Sequence, residues 1–302
     1  MRVLEYYVPP EEDGIMIKTF LRRRGFSARQ QNRLKYSETG GIYINGKLCY
    51  VTLKLRAGQV LTVELPPDKK CAVPTGAVVP VVYQDSDIIV FNKPADMPCH
   101  PVKKHQLNTL AGAFATLFSD EGYAFRPVGR LDMNTSGLVV TAMNAHTANS
   151  LTGRIEKRYL CVAVGDTPDS GEIDAAIAPC ADSFVKQRIA PEGAPAKTLF
   201  HTLHRTEGLS LVSAIPISGR THQIRVHMAH IGHPLLGDTL YGEHSDKIAR
   251  QALHCAFLTL RHPHTNETIE LKSDPPQDFT ELLTLFNISF ENIHSGGTYG
   301  KP

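Results

Sequence analysis

Asp132 is the carboxylate best placed to do chemistry. It stands mid-chain in Gly129-Arg130-Leu131-Asp132-Met133-Asn134-Thr135-Ser136-Gly137-Leu138, two residues from Arg130. A carboxylate held on a tight loop can serve as a nucleophile or as a general base. A guanidinium beside it favours the ionised form that either role needs. Residues two apart in extended backbone share a face, so Arg130 and Asp132 can present charge and counter-charge to one cleft. The same residues also fit a carboxylate that only accepts backbone hydrogen bonds inside a turn. The loop alone leaves both readings open.

Other segments carry comparable groups. Gly219-Arg220-Thr221-His222-Gln223-Ile224-Arg225-Val226-His227 precedes Gly232-His233-Pro234-Leu235-Leu236-Gly237-Asp238-Thr239-Leu240-Tyr241-Gly242. Lys157-Arg158-Tyr159-Leu160-Cys161-Val162-Ala163 and Asn92-Lys93-Pro94-Ala95-Asp96-Met97-Pro98-Cys99-His100-Pro101 lie upstream of both. The histidines at 222, 227, 230 and 233, with His262 and His264 further on, raise the alternative of a metal-dependent hydrolase. His227 and His230 can share a helical face, and Asp238 is the nearby acid. No HExxH pattern is present to support that alternative.

In order and approximate spacing, the Asp132 stretch and these other segments resemble the signature stretches of the RluA/RluD family of RNA pseudouridine synthases, over about residues 80 to 285. The resemblance implies a reaction that breaks the ribose–uracil bond, turns the base and rejoins it through a ring carbon. Nothing is added or removed, so it implies no cofactor and no metal. By the same resemblance Asp132 acts on the sugar, either as nucleophile at the anomeric carbon or as base at its neighbour. Arg225 is the arginine that keeps Asp132 ionised. Tyr159 lies against the uracil, with its hydroxyl in reach of the ring to assist proton removal. Arg130 goes to the RNA, filling the gap left by an extruded base or clamping a phosphate. Leu253 is either the apolar wall of the pocket or ordinary core. The family often has histidine where this chain has Gly129, which weakens any case for a histidine acid there.

These groups need a scaffold. Val81-Val82-Tyr83, Ile88 to Phe91, the run from Leu138 to about Met143, Tyr159 to Val164, Ala196 to His204, Leu209 to Ile215 and Ala252 to Leu260 all read as strands. Thr109 to Phe118 with Asn108 as cap, about His146 to Ile155, Gln223 to Ile231 and Glu281 to Phe286 read as helical. Without a strict βαβ alternation, the fold class is α+β, with a mixed, largely antiparallel sheet flanked by helices. Ahead of it, a short strand ends at Pro9-Pro10, and a helix runs within Ile15–Arg24. Ser27 caps a second helix to about Tyr36. Gly41 to Ile44 is followed by an Asn45-Gly46 turn, and a last strand ends at Leu65. This arrangement resembles the S-four-like RNA-binding module found ahead of many catalytic domains of the family. The expected organisation is a small α+β RNA-binding domain (1–66), a Pro-rich linker (67–80), a catalytic domain (81–290) and a disordered tail (291–302).

Charge placement points the same way. Formal net charge over the 302 residues is +2, yet residues 15–60 hold ten lysines and arginines against Glu38 alone. That segment is therefore 10 − 1 = +9, and the remainder is near −7. Such asymmetry is the footprint of a polyanion partner, with Arg22, Arg23, Arg29 and Arg33 as the helical candidates to meet RNA. Six scattered cysteines without a CxxC pair fit a reducing compartment. No apolar run approaches the ~18 residues of a membrane span, and the N-terminus lacks an apolar signal core, so the expected location is the cytoplasm. The partner expected is RNA, ribosomal from the large subunit ahead of transfer RNA, met by a monomer with no obligate protein partner. A non-catalytic RNA-binding or ribosome-assembly factor is the remaining alternative; such a factor tends to lose the carboxylate or its arginine, and both are present here.

Overall fold

The computed structural model describes residues 2–35, 40–66, 72–102, 107–119 and 123–293. The chain opens with β1 (Arg2–Tyr7), α1 (Ile17–Arg23), α2 (Ala28–Lys35), β2 (Gly41–Ile44), β3 (Lys47–Leu48) and β4 (Val60–Leu65). The strands form an antiparallel sheet in the order β1-β4-β2-β3. Asn45 and Gly46 both take positive φ, 50° and 75°, the backbone a two-residue hairpin turn demands. Ser27 and Gln30 exchange hydrogen bonds, the side chain of each accepting from the backbone N–H of the other, which closes the start of α2. Ile17, Phe20 and Leu21 turn one stripe of α1 inward, onto a core that includes Leu4, Phe26, Ile42, Leu61 and Val63. Among the described residues, no buried residue of this cluster lies beyond Val63.

The second unit contains β5 (Val81–Gln84), β6 (Ile88–Lys93), α3 (Leu110–Leu117), β7 (Pro127–Val128), β8 (Ser136–Ala142), α4 (Ala145–Leu151) and β9 (Ile155–Val164). It continues with β10 (Ser170–Asp174), β11 (Ile177–Pro179), β12 (Gln187–Ile189), β13 (Lys197–Thr206), β14 (Leu209–Pro216), α5 (Gln223–His230), β15 (Leu253–Arg261), β16 (Thr268–Lys272) and α6 (Gln277–Thr284). Ten strands share one sheet, whose main path is β10-β13-β14-β9-β15-β8-β6-β5. Among the described residues only β8 and β15 run parallel. Residues of β9 alternate between faces: Tyr159, Cys161 and Ala163 join the cluster that includes α3, while Leu160 and Val162 join the one built on Phe279, Leu282 and Leu283 of α6. The α+β class with a mixed, mainly antiparallel sheet is therefore what the chain adopts.

The pairing of β8 with β15 is short and splits. Ser136 and Gly137 face His254 and Cys255; beyond that point β7 takes the edge of β8 and β16 that of β15. The loop from Gly129 to Thr135 returns from β7 to β8 over this fork. Gly137, at φ 110°, is required there, because a Cβ would overlap the backbone of Cys255.

Several boundaries differ from expectation. The cap of α3 is Thr109, whose Oγ1 accepts from the Gly112 N–H at 3.0 Å, and not Asn108. Asn144 caps α4 at the Thr147 N–H (2.9 Å); the helix stops at Leu151, and Ile155 already belongs to β9. α6 starts four residues before the expected Glu281. Chain segment 72–79 rests on the second unit, with the Thr75 and Gly76 N–H groups donating to Thr116 Oγ1 at 3.1 and 2.9 Å. Residues 67–71 of the expected linker, and 294–302 of the expected disordered tail, lie outside the described residues. Ahead of them a helical turn, Phe290–Asn292, and the buried Ile293 extend the packed chain past the expected limit at 290.

The first unit docks against the sheet end opposite the Asp132 loop. Arg2 donates to both oxygens of Asp87 at 3.2 and 2.6 Å, Phe26 stacks on His146 at 3.9 Å, and Tyr6 meets His264 edge-on. Asp87, His146 and His264 all lie near the turns that close the far end of the sheet.

Candidate active site

Gly137, Cys255 and Tyr159 lie in one row across three adjacent strands, where the Asp132 loop runs into β8. Within the loop Leu131 is buried, Arg130 is exposed and the Asp132 side chain is 25% exposed. Arg130 and Asp132 do not pair. The loop turns after Asp132, the Thr135 N–H donating to the Asp132 carbonyl at 3.1 Å.

The counter-charge comes from α5. Arg225 donates from Nη1 to Asp132 Oδ2 at 3.2 Å. The other side of the same guanidinium is gripped by Asp238, Nε to Oδ2 at 2.7 Å and Nη2 to Oδ1 at 2.8 Å. Asp238 is 1% exposed and its Oδ1 also accepts from the Leu240 N–H. Burial on its own would weaken the charge of Arg225, but Asp238 and then Asp132 outweigh it and raise the pKa, so the cation is permanent. Oδ2 is the tethered oxygen of Asp132. Among the described residues no hydrogen bond reaches Oδ1, which is left for a substrate.

Buried cations also hold the loop backbone. Lys93, fully buried, donates to the carbonyls of Pro94, Met97 and Met133 at 2.7, 2.8 and 3.0 Å. Burial pulls its pKa down to about 8, which still leaves it charged at neutral pH. Arg250 grips Asp278 with two nitrogens and donates to the Asn134 carbonyl at 3.0 Å. Lys157 donates to the Gly129 carbonyl at 2.6 Å. Gly129 has φ 76°, a conformation that suits glycine better than the histidine common in the family.

His254 supports Ser136 from below. Its Nε2 faces the Ser273 carbonyl at 3.0 Å and must carry the proton, so Nδ1 accepts from the Ser136 hydroxyl at 3.0 Å. Burial lowers its pKa from 6.5 to about 4, and burial does the same to His146 at the docking surface. The folded state resists protonation while the unfolded chain takes it up below ~6.5. Stability is therefore full above that value and declines as pH falls toward 4. We expect on the order of 2 kcal/mol lost per histidine by pH 5. Urea unfolding at pH 7.5 and pH 5 measures the decline, and His254→Gln should shrink it by about one histidine's share.

Tyr159 is 8% exposed. Burial above all, then Cys255 and Asp132, raises its pKa far above the usual range, so the phenol keeps its proton. This environment favours its ring as a surface for a base over its oxygen as a proton acceptor. Leu253 is 4% exposed within the main core. Arg22, Arg23, Arg29 and Arg33 are exposed on the first unit; Arg23 also reaches Glu12 at 3.2 Å. Of the histidines raised for a metal site, His227 serves structure: both its ring nitrogens are taken, by Thr198 Oγ1 and the Ala175 carbonyl, each at 2.9 Å. Sequence reasoning missed Asp238 as the arginine's anchor, and His222 and Tyr241 beside it. The signal was their place in the two segments quoted above.

Comparison with known proteins decides the family. Residues 87–230 match the RNA pseudouridylate synthase family. An uncharacterized RNA pseudouridine synthase of Bacillus subtilis, YjbO, is 32% identical over 88% of this chain and 98% of its own. The ribosomal large subunit pseudouridine synthase D of Escherichia coli O157:H7 is 31% identical over 83% of this chain and 84% of its own. The chain belongs to the RNA pseudouridine synthases. Human RNA pseudouridylate synthase domain containing 1 superposes with a TM-score of 0.53 at 29% identity, covering 66% of this chain and 84% of that one. This pseudouridine synthase is thus an isomerase that acts on uridine in RNA, and its Asp132–Arg225–Asp238 array lies at the fork of its sheet.

Proposed function

We propose that this protein converts a uridine of large-subunit ribosomal RNA to pseudouridine, with Asp132 as the carboxylate that acts on the sugar. The observation that carries the reading is the asymmetry of that carboxylate: Oδ2 is tied to Arg225, while Oδ1 of the 25% exposed side chain accepts no hydrogen bond among the described residues. A uridine stacked in a helix cannot reach it, so the nucleotide must swing out at a cost of a few kcal/mol. The exposed Arg130 stands two residues away to occupy the vacated stack or hold the backbone, and the Tyr159 ring supports the extruded base. All these groups come from one chain, which is what a monomer requires. Relatives named as large-subunit synthases, at 31–35% identity, support ribosomal RNA ahead of transfer RNA. No described helix is long and apolar enough to cross a membrane, which agrees with work on ribosomal RNA in the cytoplasm. Mapping pseudouridine in ribosomal and transfer RNA from cells with and without the protein tests the target: loss of one or a few large-subunit sites is expected, and loss confined to transfer RNA would overturn it.

The first unit, residues 2–66, serves in this reading as an S-four-like module that holds structured RNA by its phosphates. Replacing Arg22 and Arg29 together by alanine should weaken binding of unrelated RNAs alike, and should flatten the slope of log affinity against log salt by about 1 per lost phosphate contact. Filter binding at several salt concentrations measures both effects, and an unchanged slope would remove these arginines from the interface.

A further inference from the structure

His222 is the residue of the site that the reaction as described leaves without a task. It holds a left-handed backbone conformation, φ 56° and ψ 20°, at the start of α5, and its side chain makes no capping hydrogen bond there. A residue with a Cβ pays roughly 1–2 kcal/mol for that conformation, and such strain persists where surroundings impose it. The surroundings here aim the imidazole. The Gln187 N–H donates to Tyr241 Oη at 2.8 Å, and Tyr241 Oη lies 3.0 Å from His222 Nδ1. Among the described residues the phenol has no other acceptor, so its O–H goes to Nδ1 and the imidazole proton sits on Nε2. That nitrogen is 3.9 Å from Asp132 Oδ2, the oxygen Arg225 already holds. The imidazole side chain is 9% exposed, and burial, partly offset by Asp132, lowers its pKa, which keeps it a neutral donor. Tyr241 also lies under the Arg225 guanidinium, 5.2 Å from ring centre to carbon, so one phenol braces both groups that face the carboxylate.

We propose that His222 is a positioning residue for the reaction: its Nε2–H, aimed by the Tyr241 hydroxyl, closes on Asp132 Oδ2 when substrate fills the cleft and fixes Oδ1 as the reacting oxygen. This rests on the function proposed above. The distance of 3.9 Å is that of an open site, and such bonds tighten once substrate excludes water. No proton is transferred in this step; the imidazole donates a hydrogen bond and keeps its hydrogen.

The test uses the full chain and a transcript of bacterial large-subunit ribosomal RNA tritiated at uridine C5, whose label is released to water at each turnover. His222→Asn keeps a residue that tolerates the left-handed backbone but lacks the reach to Oδ2. It should lower kcat about ten- to a hundredfold with KM within about threefold, the mark of a misplaced reacting group. Tyr241→Phe removes only the O–H and should lower kcat in the same manner by a smaller factor. The double variant should be no slower than His222→Asn alone, since both act through one bond. Should His222→Asn fail to fold, Tyr241→Phe carries the test by itself. A parent-like kcat in either folded variant, or losses that multiply in the double variant, would overturn the assignment while leaving the function intact. A parent protein that releases no tritium from this RNA or from transfer RNA would overturn the functional reading and this proposal with it.

Discussion

With asparagine at position 132, the protein should fold, hold RNA as the parent does, and release no tritium from C5-labelled uridine. The substitution keeps the shape of the side chain and removes its charge. Folding should survive because Arg225 does not depend on Asp132: it keeps two hydrogen bonds to Asp238, while the bond to position 132 is a single one at 3.2 Å on a side chain 25% exposed. An amide oxygen can still accept that bond. Binding should survive because the basic surface of the first unit, +9 over residues 15–60, is untouched. Chemistry should fail because a neutral amide neither attacks the sugar nor takes a proton from it, and the loss should exceed about a thousandfold. Gel-shift affinity within about threefold of the parent, with turnover below detection, is the expected pair of results. Appreciable turnover by this variant would end the assignment of Asp132.

Residues that carry chemistry were easier to read from the sequence than the contacts that support them. Asp132 and Arg225 are 93 positions apart, and composition could not join them; the resemblance of the segments around them did. The pairing inferred from spacing alone, Arg130 with Asp132, does not form: Arg130 is exposed and Asp132 takes its counter-charge from Arg225. Asp238 was legible only as an acid in a glycine-bounded loop, because its partner sits on α5, thirteen residues earlier, and only the packed structure brings the two together. Strands with a buried face were evident from their apolar residues, but β16, Thr-Ile-Glu-Leu-Lys, has no fully buried position, and β10 only one. Such edge strands lack the hydrophobic signal on which a sequence reading depends. Gly137 is a strand residue that lets β15 approach, a constraint visible only from the neighbouring strand.

Breaking the Asp238–Arg225 pair should be the most damaging change outside the carboxylate itself, in stability and in rate together. In Asp238→Asn an NH₂ group must face at least one of the three N–H groups that Asp238 now accepts, at a site only 1% exposed. The guanidinium is left buried without its fixed counter-charge, and removal of one partner from such a pair typically costs about 3–5 kcal/mol. The rate should drop separately, by about a hundredfold, since an arginine no longer held can shift by an ångström and carry Asp132 with it. A double variant separates the two effects. Arg225→Met with Asp238→Leu removes both charges and fills the space with apolar side chains, an exchange that can be neutral or stabilising in a protein interior. The double variant should regain most of the unfolding free energy lost in Asp238→Asn, yet remain as slow or slower, because Asp132 then has no cation at all. Recovery of both stability and turnover would mean that the pair serves the fold alone, and that the carboxylate needs neither residue to react.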